Sequence, residues 1–458
     1  MEFRCYKLLY YAKLEVAVYE KEVTLLRLEE KIKDKSAVIG IVGIGYVGLP
    51  LAVAFAMAGF KVLGFDIRQK NVDSVNRGRS YIADVSSDSL SSVVTGKFLE
   101  ATTDQSRLRE VDAICICVPT PLTSTKDPDL SYVIHESEAI SKYLRPGQLV
   151  VLESTTYPGT TKQVVLPSLE SSGLRCGIDF YLAYSPERVD PGNKDHNVKN
   201  TPKIVGGIDP QSTQLAQLLY SQIAGTVLPV SCPEVAEMTK VFENVFRNVN
   251  IALVNELAHL CERMGLSIWE VIDAASTKPF GYMPFYPGPG IGGHCIPLDP
   301  YYLANKAREL DFHTRFIELA AEINEHMPYH VVSRILELLS TSGKSLNGAK
   351  ILVLGVAYKK DVEDTRESPS LKMIQLLHEK GAEVSYNDPY VPQIHVPAGD
   401  MKSVELSKEY LALMDCVVIA ADHSCYDIGE VVARAKLVFD TRGVTQGLKS
   451  DNIVRLGE

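Results

Sequence analysis

The sequence lacks the features that mark several large classes of protein. No run of it approaches a length of about 18 uninterrupted apolar residues, so we expect no membrane insertion. It lacks an excess of positive charge, and its net charge of −10 argues against non-specific nucleic-acid binding while leaving room for a local basic pocket. Its nine cysteines lack any metal-ligand spacing, so we expect no metal and a reducing, cytoplasmic compartment.

The composition is that of a globular protein. With 46% hydrophobic and 23% charged residues the chain is neither disordered nor fibrous, and its 458 residues suffice for two or three domains. Residues 8–32 mix Leu, Val and Tyr with regularly placed Lys and Glu, which predicts an amphipathic helix rather than a signal peptide. This helix would pack on the body of the protein or on a partner subunit, unless the start codon is mis-assigned.

From residue 37 the chain follows the pattern of a dinucleotide-binding unit. An apolar strand leads into Gly43-Ile-Gly-Tyr-Val-Gly48, a helical pattern follows, and the next strand ends in Asp66. The glycines permit a tight turn and the close approach of a pyrophosphate to a helix N-terminus, and Asp66 can bond a ribose diol. The acid favours NAD over NADP, although Arg68 lies nearby. A glycine turn in another α/β fold is the alternative.

Polar loops follow three further apolar strands. Thr120 lies past the end of one strand and Thr155 past the end of the next, where parallel sheets bind their ligands. Both threonines are therefore predicted to lie near the cofactor, although hydroxyls that cap a loop would also explain them. After the third strand, Glu187 either lines the same cleft or lies at the surface.

A long helical pattern at residues 234–264 carries a polar stripe beside its apolar faces. The stripe consists of Lys240, Asn244, Arg247 and Asn248, which share one face of a helix. Solvent exposure is the usual explanation, but these residues are short or singly charged rather than the Glu/Lys mixture of an exposed face. We therefore expect Lys240 and Asn244 to face a cleft. The apolar surface of the helix predicts a dimer or higher oligomer.

Glycine-rich backbone surrounds Cys295, and Asp299 follows four residues later. Glycines leave a thiol reachable and let peptide N–H groups point at an oxyanion, so Cys295 is the leading candidate for a covalent nucleophile. An inert buried thiol in a glycine turn is the alternative.

A second α/β unit closes the chain. More helix is expected from residue 301 to about 339, and the unit then opens at residue 349 without the full glycine fingerprint. It offers Tyr358, Lys359 and Arg366 instead, and its cations suit a diphosphate. A ligand different from that of the first unit is therefore expected here.

The ordered set of motifs resembles the nucleotide-sugar 6-dehydrogenase family from residue 37 to the C-terminus. The motifs are the glycine fingerprint, Val118-Pro-Thr-Pro, Glu153-Ser-Thr, Tyr184-Ser-Pro-Glu, Lys240 with Asn244, Gly290-Ile-Gly-Gly-His-Cys295 and Thr365-Arg-Glu-Ser. The resemblance implies an α/β fold with two Rossmann-like, doubly wound parallel-sheet domains joined by a long central helix and a helical dimerisation domain. The implied ranges are 37–230 for NAD binding, 231–340 for the central domain and 341–458 for the UDP-sugar. Residues 1–36 precede them as the predicted helical extension.

The resemblance also implies a reaction, the NAD-dependent four-electron oxidation of the sugar's primary alcohol to a carboxylate. Cys295 would capture the aldehyde as a thiohemiacetal, which is oxidised to a thioester and hydrolysed. Lys240 and Asn244 match residues that stabilise the oxyanion. Asp299 matches the acid that moves protons, and the residues matching those that place the hydrolytic water are Thr155 and Glu187. His294 is assigned no role, unless it tunes the thiolate.

Binding residues follow from the same resemblance. Those assigned to NAD are Gly43, Gly45, Tyr46, Val47, Gly48, Asp66, Arg68, Thr120, Thr155 and Arg366. Those assigned to the UDP-sugar are Glu187, Arg188, Val189, Lys240, Asn244, Arg247, Gly292, Tyr358 and Lys359.

The loop after Glu187 bears on the choice of sugar. Family members that act on UDP-glucose commonly carry a second acid four residues later, where this chain has Pro191. The pattern Ser-Pro-Glu-Arg-Val-x-Pro-Gly resembles members that oxidise UDP-N-acetylhexosamines, and UDP-N-acetylglucosamine is favoured over its epimers. UDP-glucose and UDP-N-acetylmannosamine remain alternative substrates.

Two other classes of protein share part of the pattern. A non-catalytic dinucleotide-binding regulator would need neither Cys295 nor the pair of Lys240 and Asn244. A two-electron hydroxyacid or 6-phosphogluconate-type dehydrogenase needs no cysteine and no second nucleotide-binding domain.

Overall fold

The computed structural model describes residues 25–82, 84–123, 125–189, 195–293 and 296–458. Pro191, His294, Cys295 and most of the predicted N-terminal extension therefore lie outside the described residues. The chain packs as two compact units, one ending at Phe242 and the other beginning at Glu243. Of the extension, residues 25–33 form a helix, α1, whose Leu28 and Ile32 join the core of the first unit.

An eight-stranded sheet forms the centre of the first unit. Its strands are Val38–Val42 (β1), Lys61–Phe65 (β2), Leu99–Thr102 (β3), Ala113–Ile116 (β4), Leu149–Leu152 (β5), Tyr181–Tyr184 (β6), Lys203–Gly207 (β7) and Val227–Pro229 (β8). Their order is β3-β2-β1-β4-β5-β6-β7-β8. Strands β1 to β6 are parallel, and β7 runs antiparallel to β6. This is the doubly wound order, whose crevice opens where the order reverses between β1 and β4.

Helices cover both faces of this sheet because alternate strand residues enter two separate hydrophobic cores. Val151 belongs to one core and the neighbouring Val150 to the other. The helices are Gly48–Met57 (α2), Gln69–Asn76 (α3), Ser87–Thr95 (α4), Ser131–Ser141 (α5), Leu166–Glu170 (α6) and Pro210–Tyr220 (α7). Two short segments are a 3-10 helix at Gln105–Glu110 and a π-helical turn at Thr161–Val165.

The long helix expected from the sequence, α8, spans Pro233–Met264. It is followed by Ile268–Ser276 (α9), Asp299–Glu309 (α10) and Arg315–Thr341 (α11). The helix expected from residue 301 to 339 is therefore interrupted. The break comes after Glu309, where Asp311 adopts a left-handed φ of 55°. None of the helices in the described part of the chain is long and apolar enough to cross a bilayer.

A second parallel sheet closes the chain, as the sequence predicted. Its strands are Lys350–Leu354 (β9), Glu383–Asn387 (β10), Cys416–Ile419 (β13), Val438–Asp440 (β14) and Ile453–Arg455 (β15). Their order is β10-β9-β13-β14-β15, with every pairing parallel. The remaining elements are the hairpin Gln393–Val396 (β11) and Gly399–Lys402 (β12), and the helices Pro369–Glu379 (α12), Lys408–Leu413 (α13) and Ile428–Arg434 (α14). The expected α/β fold class is confirmed.

Candidate active site

The turn between β1 and α2 requires glycine at two positions. Gly43 has a φ of 89°, and a Cβ there would lie 2.8 Å from the carbonyl oxygen of Cys117. A Cβ on Gly48 would lie 1.9 Å from the carbonyl oxygen of Gly43. At Gly45, no described atom lies within 4 Å of the Cβ position, so a ligand can approach the backbone closely. Helix α2 carries no acid in its first turn, and its N-terminus therefore fits a pyrophosphate.

Asp66 lies directly after β2, where the sequence predicted the ribose-binding acid. Its Oδ1 accepts the backbone N–H of Arg68 at 2.8 Å, and its Oδ2 accepts the side-chain amide of Asn71 at 3.0 Å. These bonds hold the half-buried carboxylate at the strand end, and each oxygen keeps a lone pair for a ribose hydroxyl. Together with the glycine turn, Asp66 makes a cradle that NAD fits.

The loops that carry Thr120 and Thr155 are tied together by Ser154. Its hydroxyl donates to the carbonyl oxygen of Val118 at 2.7 Å. Thr120 and Thr155 are both half-buried, and each lies one or two residues from this bond. The structure therefore brings these two loops to one edge of the sheet, as expected for strands β4 and β5.

Glu187 belongs to a buried ionic cluster that the sequence did not reveal. The Lys203 ammonium lies 2.6 Å from Oε2 of Glu153 and 3.4 Å from Oε2 of Glu187. The other oxygen of Glu187 accepts the N–H groups of Arg188 at 2.8 Å and Val189 at 2.7 Å. Glu187 is thus held inside the first unit and is not a surface acid.

The pKa values in this cluster move in different directions. Burial alone would raise the pKa of Glu187, but Lys203, the loop N–H groups and Lys240 outweigh it and hold this pKa below its usual value. Burial raises the pKa of Glu153, despite its contact with Lys203. Burial would lower the pKa of Lys203, but the two carboxylates raise it above its usual value. The two acids therefore share one ammonium, and of the two only Glu187 has its pKa held below the usual value.

Glu237 ties the start of α8 to the loop after β5. Its Oε1 accepts both the N–H of Thr161 at 2.8 Å and the Thr161 hydroxyl at 2.7 Å, and its Oε2 accepts the N–H of Gly159 at 2.5 Å. Burial raises the pKa of Glu237. Lys240, one turn further along the helix, is also buried and acts on Glu187. The predicted polar stripe is therefore not a solvated surface.

In the second unit, Asn244 and Asp299 are joined directly. The Asn244 amide donates to Oδ2 of Asp299, and Arg247 donates to the amide oxygen of Asn244. Both Asn244 and Asp299 are buried. Two predicted catalytic residues thus meet, and the amide orientation is fixed by a donor on one side and an acceptor on the other.

Three asparagines anchor the segment that leads to Cys295. Asn255 on α8 accepts the N–H of Gly288 at 3.0 Å and donates to Oδ1 of Asn324 on α11 at 2.9 Å. Asn324 donates in turn to the carbonyl oxygen of Asn248 at 3.1 Å, and the Asn248 amide donates to the carbonyl oxygen of Ile296 at 3.1 Å. The chain is therefore held at Gly288 and at Ile296, the positions before and after the predicted nucleophile.

Tyr358 packs directly against the same loop. A Cβ on Gly292 would lie 2.6 Å from the Cβ of Tyr358, and the N–H of Gly293 donates to the carbonyl oxygen of Arg366 at 2.9 Å. The Arg366 guanidinium pairs with Asp364 at 2.6 Å. The structure thus brings Gly292, Tyr358 and the backbone of Arg366 together within the second unit.

Three domain models of one family match the chain in order. They are described as the NAD binding domain (residues 37–224), the central domain (residues 234–326) and the UDP binding domain (residues 352–447) of the UDP-glucose/GDP-mannose dehydrogenase family. The chain belongs to this family. It is therefore an NAD-dependent nucleotide-sugar dehydrogenase, and the expected family, enzyme class and cofactor are confirmed.

Named relatives of the family differ in the sugar they act on. A Pyrococcus horikoshii protein named UDP-N-acetyl-D-mannosamine dehydrogenase is 37% identical over 413 residues, which is 89% of this chain and 95% of that protein. A Pseudomonas aeruginosa protein named UDP-N-acetyl-D-glucosamine 6-dehydrogenase is 38% identical over 360 residues, 78% of this chain and 84% of that protein. The solved structure of the UDP-D-ManNAc dehydrogenase from P. horikoshii superposes with a TM-score of 0.84 at 34% identity, over 92% of this chain and 99% of that one.

Proposed function

We propose that this dehydrogenase oxidises the C6 hydroxyl of a UDP-N-acetylhexosamine, with UDP-N-acetylglucosamine favoured, to the uronate in a four-electron reaction. The observation that carries the proposal is the buried polar face of α8, which presents an ammonium at Lys240 and an amide at Asn244. Buried donors of this kind stabilise oxyanions. A two-electron oxidation of a hydroxyl does not by itself require a nucleophile, so the match of Cys295 to the family motif favours the four-electron reaction. In this proposal residues 37–230 bind NAD, residues 231–340 form the central domain and residues 341–458 bind the UDP-sugar.

The residues of this chain divide the chemistry between them. Bound NAD would accept a hydride from C6 in each of the two oxidations. Between them the Cys295 thiolate adds to the aldehyde carbon, and Lys240 and Asn244 hold the resulting oxyanion of the thiohemiacetal. The role of Cys295 rests on its match to the family motif, since the residue lies outside the described ranges.

Hydrolysis of the thioester needs a placed water molecule. In the proposal the Glu187 carboxylate takes a proton from this water, with Thr155 orienting it, and the carbonyl carbon accepts the hydroxide as the C–S bond breaks. The Cys295 sulfur leaves as a thiolate, and Asp299 moves the proton that the oxyanion gains and loses. The lowered pKa of Glu187 supports this role, because only a carboxylate can act as the base.

The remaining residues are assigned to binding. Those proposed to contact the UDP-sugar are Arg188, Val189, Arg247, Gly292, Tyr358 and Lys359, and those proposed to contact NAD are Tyr46, Val47, Arg68, Thr120 and Arg366. Gly292 and Tyr358 lie in contact, and this proximity supports their assignment to one ligand.

The enzyme is proposed to be a homodimer or higher homo-oligomer. Helix α8 exposes a series of large apolar side chains, namely Val235, Met238, Phe242, Phe246, Leu253, Leu257, Leu260 and Met264. A stripe of this length on one helix is costly in water and is covered most simply by the same helix of a second copy.

A cytoplasmic location is also proposed. The cysteines at the described positions are free thiols, which suits a reducing compartment.

Relative kcat/KM values for a panel of UDP-sugars test the substrate assignment. The panel is UDP-N-acetylglucosamine, UDP-N-acetylmannosamine, UDP-N-acetylgalactosamine and UDP-glucose at matched NAD. A site built to bond an N-acetyl group loses about 1–3 kcal/mol, or roughly 10- to 100-fold, with a sugar that lacks it. UDP-N-acetylglucosamine should exceed UDP-glucose at least about tenfold on this ground. The similarity to the P. horikoshii protein makes UDP-N-acetylmannosamine the second candidate, and equal or better use of UDP-glucose would contradict the proposal.

A further inference from the structure

The Lys203 side chain, at the start of β7, directs all of its hydrogen bonds to protein acceptors. Its ammonium donates to Oε2 of Glu153 at 2.6 Å, to the carbonyl oxygen of Pro186 at 3.3 Å and to Oε2 of Glu187 at 3.4 Å. An ammonium group has three N–H bonds, so these acceptors use all of them. Only 4% of the Lys203 side chain is exposed, and it is therefore placed to act on its neighbours rather than on a ligand.

Glu153 is the second carboxylate in contact with the Lys203 ammonium, and its other oxygen is held by a different partner. Its Oε1 accepts the hydroxyl of Tyr220 on α7, and the Tyr220 ring lies 5.0 Å from the Lys203 ammonium. Cys115 on β4 lies 3.6 Å from the same hydroxyl. Glu153 can therefore neither leave the ammonium nor reach water without disturbing three buried groups.

The charged groups that face Glu187 come from three elements and its own loop. Lys203 approaches from β7, Lys240 from α8 and Glu153 from the end of β5, and Arg188 is the next residue in the loop. Cys117, the residue after β4, faces Lys203 as well. Among these groups in the described part of the first unit, Lys203 is the one that forms a direct ion pair with the Glu187 carboxylate.

We propose that Lys203 is a positioning residue that keeps Glu187 ionised and oriented for water activation, and that Glu153 weakens this action by competing for the same ammonium. The inference rests on the role proposed for Glu187. It assigns the tuning to a lysine and a glutamate that are themselves buried.

The two partners of Lys203 predict opposite effects. Without Lys203, the largely enclosed Glu187 keeps only the more distant Lys240, so the pKa of Glu187 rises. The acid limb of the pH profile of activity then moves to higher pH. Without the charge of Glu153, the Lys203 ammonium interacts with the Glu187 carboxylate alone, so the pKa of Glu187 falls. The acid limb of the pH profile then moves to lower pH or leaves the measurable range. If Lys203 and Glu153 had purely structural roles, loss of either one would change the acid limb in the same direction.

Four variants separate these effects. Lys203→Met alone leaves Glu153 and Glu187 without their shared ammonium and is the variant most at risk of misfolding. The double variant Glu153→Gln/Lys203→Met removes one charge of each sign, and the new amide can still accept the Tyr220 hydroxyl. Glu153→Gln alone isolates the competing acid, and Lys203→Arg tests rescue by a conserved charge.

The pH profile of kcat, with NAD and the UDP-sugar both saturating, is the first measurement. The double variant should show an acid limb at least about one pH unit above that of the wild type, with kcat recovering toward alkaline pH. Glu153→Gln should show no upward shift, Lys203→Arg should lie nearer the wild type, and KM for NAD should stay within about twofold in all of them. A double variant whose limb coincides with the wild type, or whose loss of kcat is equal at every pH, would overturn the inference.

A second measurement does not depend on activity. Titration of glutamate carboxyl carbons by NMR in the 13C-labelled full chain, with the Glu187 signal assigned by its loss in Glu187→Gln, gives the pKa of this residue directly. It should be higher in the double variant than in the wild type, and equal values would overturn the inference. If the wild type oxidises no UDP-sugar, the proposed function fails, while this titration still decides the role of Lys203.

Discussion

The side-chain amide of Asn244 donates to the carboxylate of Asp299, a residue 55 positions later in the chain. The bond ties α8 to the first residue of α10, four positions after Cys295. An amide nitrogen carries two hydrogens, so the bond to Asp299 leaves one N–H of Asn244 for a ligand oxygen. The same residue can therefore orient the acid and hold an oxyanion.

Replacing Asn244 with Ala should lower kcat by about 100- to 1,000-fold, because the change removes an oxyanion donor and leaves the buried Asp299 without its amide partner. KM for NAD should change little. Steady-state kinetics check this, with Thr239→Ala as the control, since the Thr239 hydroxyl bonds the carbonyl oxygen of Val235 on its own helix. Near-wild-type turnover in Asn244→Ala would remove this residue from the mechanism.

Asp66→Ala should weaken NAD binding by roughly 10- to 100-fold and leave UDP-sugar affinity unchanged, because a bond to a charged acceptor is worth about 1.5–3 kcal/mol. Calorimetric titration with each ligand measures both affinities. Asp34→Ala is the matched control, since Asp34 accepts the N–H of Ser36 at 2.9 Å in a similar turn before β1. Equal loss of both affinities would contradict separate binding sites.

Much of the cofactor site could be predicted because its signals are local in sequence. The strand, glycine turn, helix and acid between Val38 and Asp66 lie within one βαβ unit, and hydrophobic periodicity with glycine spacing was enough to predict it. The contacts between buried polar or charged side chains could not be predicted, because the partners lie far apart in the sequence. Lys203 and Glu153 are 50 residues apart, and Asn255 and Asn324 are 69 apart, so only tertiary packing brings them together.

Asp388 occupies a sequence position like that of Asp66 but has a different role. Asp388 follows β10 as Asp66 follows β2, but its Oδ2 accepts the N–H groups of Val356 at 2.8 Å and Ala357 at 3.0 Å. The same oxygen accepts Nε2 of His423 at 3.0 Å. Asp388 is buried by these contacts and stabilises the loop after β9. The repeat of strand and acid therefore does not by itself define a second ribose site.

Cys295→Ser should abolish steady-state turnover while NAD and UDP-sugar binding stay nearly intact, because a hydroxyl is a far poorer nucleophile than a thiolate at neutral pH. Turnover and ligand titrations on the same preparation check both halves. Cys425→Ser is the control, since Cys425 is an exposed thiol in the second unit. Wild-type turnover in Cys295→Ser would exclude the covalent route.

Light scattering at micromolar concentration should give a multiple of 50.5 kDa. Phe242→Glu should lower the mass toward that of one chain, because it places a charge within the exposed apolar stripe of α8. Met57→Glu, which changes an equally exposed apolar residue at the end of α2, should not. A wild-type particle of 50.5 kDa would contradict the proposed oligomer.

The stoichiometry of NADH formation tests the four-electron mechanism most directly. Purified enzyme, excess NAD and a limiting amount of UDP-N-acetylglucosamine are allowed to react to completion, and NADH is measured by absorbance and the product by mass spectrometry. Two oxidations of one carbon require two hydride acceptors, so we predict two NADH per sugar and a UDP-N-acetylhexosaminuronate. One NADH per sugar with an aldehyde or keto product would contradict the account.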